Sequence, residues 1–427
     1  MTIRLALHAF PVLFAVLCCI TANAQITDSL RITLPEAEQR LLQQNIPLLS
    51  QRFNIDSAKA AVITARLYEN PQVTFENVLY NHSNRKWFDF SYDGQNALQA
   101  TQLFKLAGKR NKAMKLAGSG VKMSEYQYYD LLRTLRFSLY DNFYELYYKQ
   151  QSLKTFGSQI AFLQQIVQAF TKQQAMGNIA PKEILRIKSL LYDLQHDELA
   201  LQQEVQEAMS ELALLIRVPP TTILLPRLPD TATGRPALSQ YTFQTLLDTA
   251  RANRYDLKIA LENVHYNQLN LKLQQAMAVP DLQVGFSFDK QGNFERNYNG
   301  LNISMPLPVF NRNQGNIKTA RATLEGSKLQ LTGTEDALAQ EVMNSLQQAT
   351  KTEKLLQEFD PSFENDYSKI MGEVEKNYRL HNIGLLEFID LYDAYRNNVL
   401  KMNELRYNRL HALESLNYST GALIFHP

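Results

Sequence analysis

The sequence predicts a mainly α-helical chain with a smaller β contribution: long helical hairpins plus four strands of about membrane length. Three observations lead there. The chain repeats itself once, two stretches of roughly seventy residues read as unbroken helix, and each repeat holds a pair of alternating segments about as long as a tilted membrane strand. With 16 glycines and 15 prolines in 427 residues, helix breakers are scarce. The 44 basic and 42 acidic residues nearly cancel, which argues against a nucleic-acid partner gripped through its phosphates.

Residues 1–24 read as a secretory signal peptide: Arg4, the apolar run Leu5 to Ile20, then Ala22-Asn23-Ala24. Cys18 and Cys19 both fall inside it. Lipidation of either is the alternative, but Leu17 and Cys18 are not the small residues such a site wants, so cleavage after Ala24 is expected. The mature chain is then exported and free of cysteine. No later stretch reaches 18 uncharged apolar residues, so any insertion into a membrane has to use strands.

The first repeat, 25–216, opens with a helical pattern from Thr33-Leu34 to Pro71. NPQVTF (70–75) then begins a strand pair over 72–104, with Val73, Phe75 and Asn77 alternating and LQATQLF (98–104) closing it. The polar loop NHSNRKWFDFSYDG (81–94) joins the two strands, and Tyr80, Trp87, Phe88, Phe90 and Tyr92 are candidates for an interfacial aromatic girdle. AGKRNKAMKLA starts the long helix at Gly108. No proline occurs from Ala107 to Met176, so one continuous helix of about 105 Å is expected. Ile160, Leu163, Ile166, Val167 and Phe170 mark its packing face. The helix breaks and restarts at MGNIAPKEIL (176–185). Residues 217–241, which hold five of the 15 prolines, read as a linker or an irregular excursion.

The second repeat, 242–427, covers the same ground. A helical pattern runs from Thr242-Phe243 to Pro280, and VPDLQVGFSF (279–288) begins a strand pair over 281–310, with Leu282, Val284, Phe286 and Phe288 alternating. KQGNFERN (290–297) is its loop and LNISMPLPVF (301–310) its second strand. Gly315 opens a helix expected over 313–379, which restarts at HNIGLLEFID (381–390). Asn-Ile pairs and the placing of Glu183 against Glu387 keep the two copies in register. Periodicity alone is equally consistent with two ordinary hairpins capping a helical bundle. If the strands do cross a membrane, four cannot close a barrel, and several chains must share one.

Chemistry is thin. The histidines are scattered, with no HExxH, His-x-His or paired-cysteine spacing, so neither a metal site nor a cofactor is expected. GxSxG, P-loop and dinucleotide signatures are absent. The carboxylates at 387–393 lack a nucleophile, and no catalytic residue is expected.

NPQVTF, VPDLQVGFSF, PLPVFNRNQGNIKTARATL (306–324) and NIGLLEFIDLYDA (382–394), in this tandem layout, resemble the TolC-type outer-membrane efflux channels over essentially the whole mature chain. Within that family the likeness is nearest to the outer-membrane components of heavy-metal exporters of the resistance-nodulation-division (RND) type. The resemblance implies a homotrimer in the bacterial outer membrane, each chain giving four strands to one barrel, with a helical tunnel extending into the periplasm. It implies the exit duct of a tripartite efflux pump for heavy-metal cations or small toxic compounds. The partners implied are a periplasmic adaptor, an inner-membrane RND transporter and outer-membrane lipid. Asp390 and Asp393 align with the family's aspartates at the periplasmic constriction, so they would form a gate and a cation-selective ring. A solvated helix face is the plain alternative. Gly177, Asn178, Glu183, Asn382, Gly384 and Glu387 would make the tips and the adaptor contact. Pro71, Pro280, Pro306, Pro308 and Gly315 would mark the barrel–tunnel junction, with Met305 to Phe310 ending a strand and Gly315 giving the backbone freedom to turn. Leu386 stands where the family's basic gate partner falls, which leaves Arg379, Lys182 or Arg186 for that role. A channel of the same build for type I protein secretion and a purely structural periplasmic coiled coil are the rival readings.

Overall fold

The first helix starts at a cap that the sequence spells out: Thr33 precedes it and Glu36 returns a carboxylate to the Thr33 amide at 2.8 Å, a capping box. The computed structural model describes residues 28–228, 238–292, 295–359, 369, 372–378, 380 and 382–425. The leader, Cys18 and Cys19, and Arg379 lie outside the described residues.

Strand β1 (Ser29–Thr33) leads into α1 (Leu34–Gln44), and α2 (Ile46–Arg66) follows after a break at Asn45. Pro47 has no N–H for a carbonyl one turn back, so a single helix cannot run through it. Next come β2 (Gln72–Asn77), the short pair β3 (Tyr80–Asn81) and β4 (Lys86–Trp87), β5 (Asn96–Phe104), and α3 (Lys109–Ala175). With 67 residues, α3 is about 100 Å long. Helix α4 (Pro181–Ile216) has proline in its first turn, where no N–H is needed, and ends on left-handed Arg217. After β6 (Ile223–Arg227) come α5 (Phe243–Asn253) and α6 (Tyr255–Met277), broken at Arg254, then β7 (Leu282–Asp289), β8 (Tyr298–Ser304) and α7 (Gln314–Glu358). A short helix α8 over 372–378 precedes α9 (Leu385–Thr420).

Four sequence expectations are corrected. The helices read over 33–71 and 242–280 are each two helices, broken at Asn45 and Arg254. The helix read over 313–379 leaves helical geometry at Phe359. Strand pairing over 281–310 ends at Ser304 rather than Phe310. The stretch read as linker contains β6, which pairs in parallel with β1, Ile223 opposite Ser29 and Arg227 opposite Thr33. Pro226 is tolerated there because the two-stranded sheet has only edges.

The contacts sort the chain into two units. One gathers the chain up to Ile46, Arg133–Leu246 and Val342 onward. It contains the β1–β6 pair, with Gln150 donating to the Leu224 carbonyl at 2.8 Å. It also contains an apolar core in which Ile160, Leu163 and Ile166 of α3 meet Ile187 and Leu194 of α4 and Phe388 of α9. The other unit holds Pro47–Leu132 and Leu247–Glu341. Its centre is an antiparallel four-stranded sheet in the order β2-β5-β7-β8.

Candidate functional site at the helix restarts and the sheet

Both helix restarts are built alike. At the first, Gly177 takes φ 79°, and Asn178 donates its amide N–H to Gln173 O at 3.0 Å and its Nδ2 to Gln173 Oε1 at 2.9 Å. At the second, Asn382 makes the same two bonds to Asn377, at 2.9 and 3.2 Å. These bonds satisfy carbonyls left open at a helix end. Gly384 is extended at φ −77° and caps α9, and its carbonyl accepts the Phe388 amide at 3.0 Å. Glu183 and Glu387 occupy the first turns of α4 and α9, where the helix dipole favours negative charge.

Phe388 fixes the inward face of α9. It is fully buried, stacked on Tyr378 at 4.3 Å and packed against Tyr392 at 5.3 Å. Asp390 is exposed, whereas Asp393 sits at the edge of the aromatic cluster with 36% of its side chain exposed and Oδ1 buried without a hydrogen bond. Burial raises the Asp393 pKa, Arg396 draws it back, and the charges of Asp390 and Asp193 raise it again. The cation beside Asp393 is Arg396, at 3.6 Å, and this guanidinium also reaches to 4.0 Å from Asp197 of α4. Sequence reasoning missed Arg396 and the two α4 aspartates.

The sheet has two faces. Directly opposed residues point to the same side, so the register builds one row of Val73, Ala100, Phe286 and Leu301 and a second of Phe75, Leu98, Phe288 and Asn299. The opposite side carries Gln72, Thr101, Gly285 and Asn302, then Thr74, Gln99, Ser287 and Gly300. Val73, Phe75, Leu98, Phe286, Leu301 and Ile303 are exposed. A side chain at Gly285 would come within 2.9 Å of Thr101 Cγ2, which keeps the polar side small at that point. Strand lengths run from six residues in β2 to nine in β5. Pro71 stands immediately before β2 and Pro280 just before β7, each unable to donate to a ladder.

The connections at the far end of the sheet are tied together. Asp89 is buried and accepts hydrogen bonds from the Ser91 amide at 2.9 Å and from the side chains of Asn81 and Asn84, which hold its carboxyl far below the usual range. Lys290 donates to the carbonyls of Phe90 and Ser91, and Arg296 pairs with Asp93 at 3.2 Å. Trp87, Phe88, Phe90 and Tyr92 stand exposed at this end.

At the opposite end, Pro306 and Pro308 lie in irregular chain after β8. The residue that turns the backbone is Asn313, with φ 58°, and Gly315 is already inside α7. Gly315 therefore does not supply the freedom expected of it. In the first repeat Ala107 and Gly108 turn the chain, at φ 54° and 64°. Among the described residues no group of three or more His, Cys, Asp or Glu could hold a metal ion, and no helix is long and apolar enough to cross a membrane.

Comparison with known proteins adds the following. The family model for outer membrane efflux proteins matches residues 38–216 and 246–371. The cobalt-zinc-cadmium resistance protein CzcC of Cupriavidus metallidurans is 19% identical over 289 residues, which is 68% of this chain and 66% of that protein, just under two thirds of its length. The outer-membrane channel OprN superposes with a TM-score of 0.73 at 16% identity, covering 91% of this chain and 90% of that one. CusC superposes with a TM-score of 0.70 at 15% identity, covering 91% and 92%.

Proposed function

The chain belongs to the outer membrane efflux protein family, and from that premise we propose that it is the exit duct of a tripartite pump for heavy-metal cations or small toxic compounds. It is an outer-membrane protein with the fold of TolC-type channels. The carrying observation is the four-stranded sheet, apolar on one side and polar on the other, with both edges unpaired and long helices leaving its strands. Open edges are not tolerated in lipid. Three copies therefore pair β8 of one with β2 of the next, apolar side to lipid and polar side to the lumen. The helices continue as the periplasmic tunnel, and the restarts at Gly177–Glu183 and Asn382–Glu387 form the tips that a periplasmic adaptor grips.

An inner-membrane RND transporter supplies the energy. Asp390 of each copy faces the constriction and sets its preference for cations, while Asp393 and Arg396 act as the latch beside it. The naming of CzcC for cobalt, zinc and cadmium resistance supports metal cations as cargo. The test is conductance in a planar bilayer with divalent cations titrated on the tip side. Discrete steps that cations block, with the block relieved in Asp390→Ala/Asp393→Ala, are expected. Unchanged block and unchanged cation preference in that variant would remove the ring. Passage of an unfolded polypeptide through the wild-type pore would replace the cargo.

A further inference from the structure

The chain between the last strand and the last long helix of the sheet unit carries an unclaimed surface. Met305 to Phe310 has no regular structure, and its one internal backbone bond runs from the Val309 amide to Leu307 O at 2.9 Å. The segment prolongs the apolar side of β8, where Leu301 and Ile303 are already exposed. Leu307 is 79% exposed, Val309 61% and Phe310 90%. Immediately beyond stand Arg312, Lys318 and Arg321, all exposed. Among the described residues no carboxylate lies within ion-pair distance of them.

The first repeat shows what the same junction looks like when its cations are used internally. There Lys105 pairs with Glu69 at 2.7 Å and Lys109 with Asp281 at 2.6 Å. Arg110 lies 4.0 Å over the Tyr68 ring and donates to Arg66 O at 3.1 Å. In the second repeat nothing among the described residues does this for Arg312 or Lys318. Irregular backbone is excluded from the hydrocarbon layer but suits the headgroup zone. Protruding apolar side chains next to unpaired cations fit a surface where acyl chains meet phosphates. An arginine guanidinium matches a phosphate in two-point geometry. Lys318 begins about 6 Å along α7, which its flexible stem spans.

We propose that residues 305–318 form a phospholipid seat at the periplasmic face of the outer membrane. Leu307, Val309 and Phe310 enter the acyl region, and Arg312 and Lys318 hold the phosphate of an anionic phospholipid from the periplasmic leaflet. The seat depends on the outer-membrane location and not on the cargo or the gate.

The test is native mass spectrometry of the detergent-purified full chain titrated with phosphatidylglycerol or with phosphatidylcholine. Each basic side chain near an anionic lipid surface changes affinity about fivefold, so Arg312→Gln/Lys318→Gln should weaken phosphatidylglycerol binding about 25-fold. Arg312→Lys, which keeps the charge but not the two-point geometry, should retain part of it, and phosphatidylcholine binding should not change. Equal phosphatidylglycerol binding by wild type and the double variant overturns the seat. A second measurement leaves the cations intact: a benzophenone side chain placed at position 310 is irradiated in phosphatidylglycerol nanodiscs. Adducts to lipid are expected, and adducts to another copy of the chain would mean that protein covers the segment. Conductance of the double variant should equal wild type, so loss of the seat and loss of the duct read out separately.

Discussion

Asp390 and Asp393 are one turn apart and behave differently. Asp390 is exposed, whereas Asp393 keeps one carboxylate oxygen buried without a hydrogen bond and relies on Arg396 at 3.6 Å. Burial raises its folded pKa above the ordinary aspartate value of about 3.9. The native state therefore holds that proton to higher pH than the unfolded chain, and stability falls as pH rises through the window above about 4. Asp393→Asn should raise the thermal midpoint at neutral pH, a gain in stability of less than about 1 kcal/mol because solvent screens a side chain this exposed. The gain should vanish as pH approaches about 4. Arg396→Gln should destabilise at neutral pH, and its cost should shrink in the Asp393→Asn background. Strict additivity of the two substitutions in thermal melts at pH 7 would mean that the pair is not coupled. That the two aspartates lie one turn apart on one helix was legible in the sequence from their spacing. Arg396 shares a helix face with Asp393 as its i,i+3 neighbour, but the family's basic gate partner aligns with Leu386, which points to cations elsewhere in the sequence. Asp193 and Asp197 were not legible, because only tertiary packing brings α4 beside α9.

Among the elements, the passage from strand to long helix separates what a pattern shows from what it leaves open. Pro306 and Pro308 announce that pairing stops, and it stops at Ser304, just before them. Which residue takes the left-handed turn is a local contest between glycine and asparagine. Asparagine takes it, because Asn313 can spend its side chain on Gln274: Nδ2 donates to Gln274 O at 2.7 Å and to Gln274 Oε1 at 3.0 Å. Asn313→Ala should cost about 2 kcal/mol, from the left-handed conformation and the lost hydrogen bonds together. Gly315→Ala should be neutral or stabilising by up to about 1 kcal/mol, since it sits in helix with open space around its Cα. Ala107→Gly should stabilise by about 1 kcal/mol, relieving φ 54° on a residue with a side chain. Urea unfolding of the three variants checks the order, and a destabilising Gly315→Ala would return the turn to Gly315. The β1–β6 pair was hidden for a different reason. Its partners lie far apart in sequence and its second strand contains Pro226, so local pattern argued against a strand that pairing makes possible.

At the scale of the molecule, the internal duplication was the most legible feature, because it needs no knowledge of contacts. Breaks at Asn45 and Arg254 and prolines at Pro71 and Pro280 fall at one constant separation. Assembly is not written in a single copy in that way, yet the sheet constrains it. Its outer strands, β2 and β8, each present an unpaired edge, and a one-residue slip in pairing would turn the apolar side chains of the joining strand to the polar face. Pairing between copies must then match faces, and that requirement can be tested directly. Both cysteines lie in residues 1–24, so introduced cysteines have little competition. With Thr74→Cys on the polar side of β2, oxidation should link copies through Asn302→Cys or Ser304→Cys, which share that side on β8. It should fail through Leu301→Cys or Ile303→Cys, because disulfide geometry cannot reach across the sheet. Non-reducing gels should show linked dimers and closed trimers with nothing larger, since a ring has no free edge left to extend. A ladder running past the trimer would mean an open filament of sheets, and linkage through all four positions alike would mean chance encounters in place of a shared barrel.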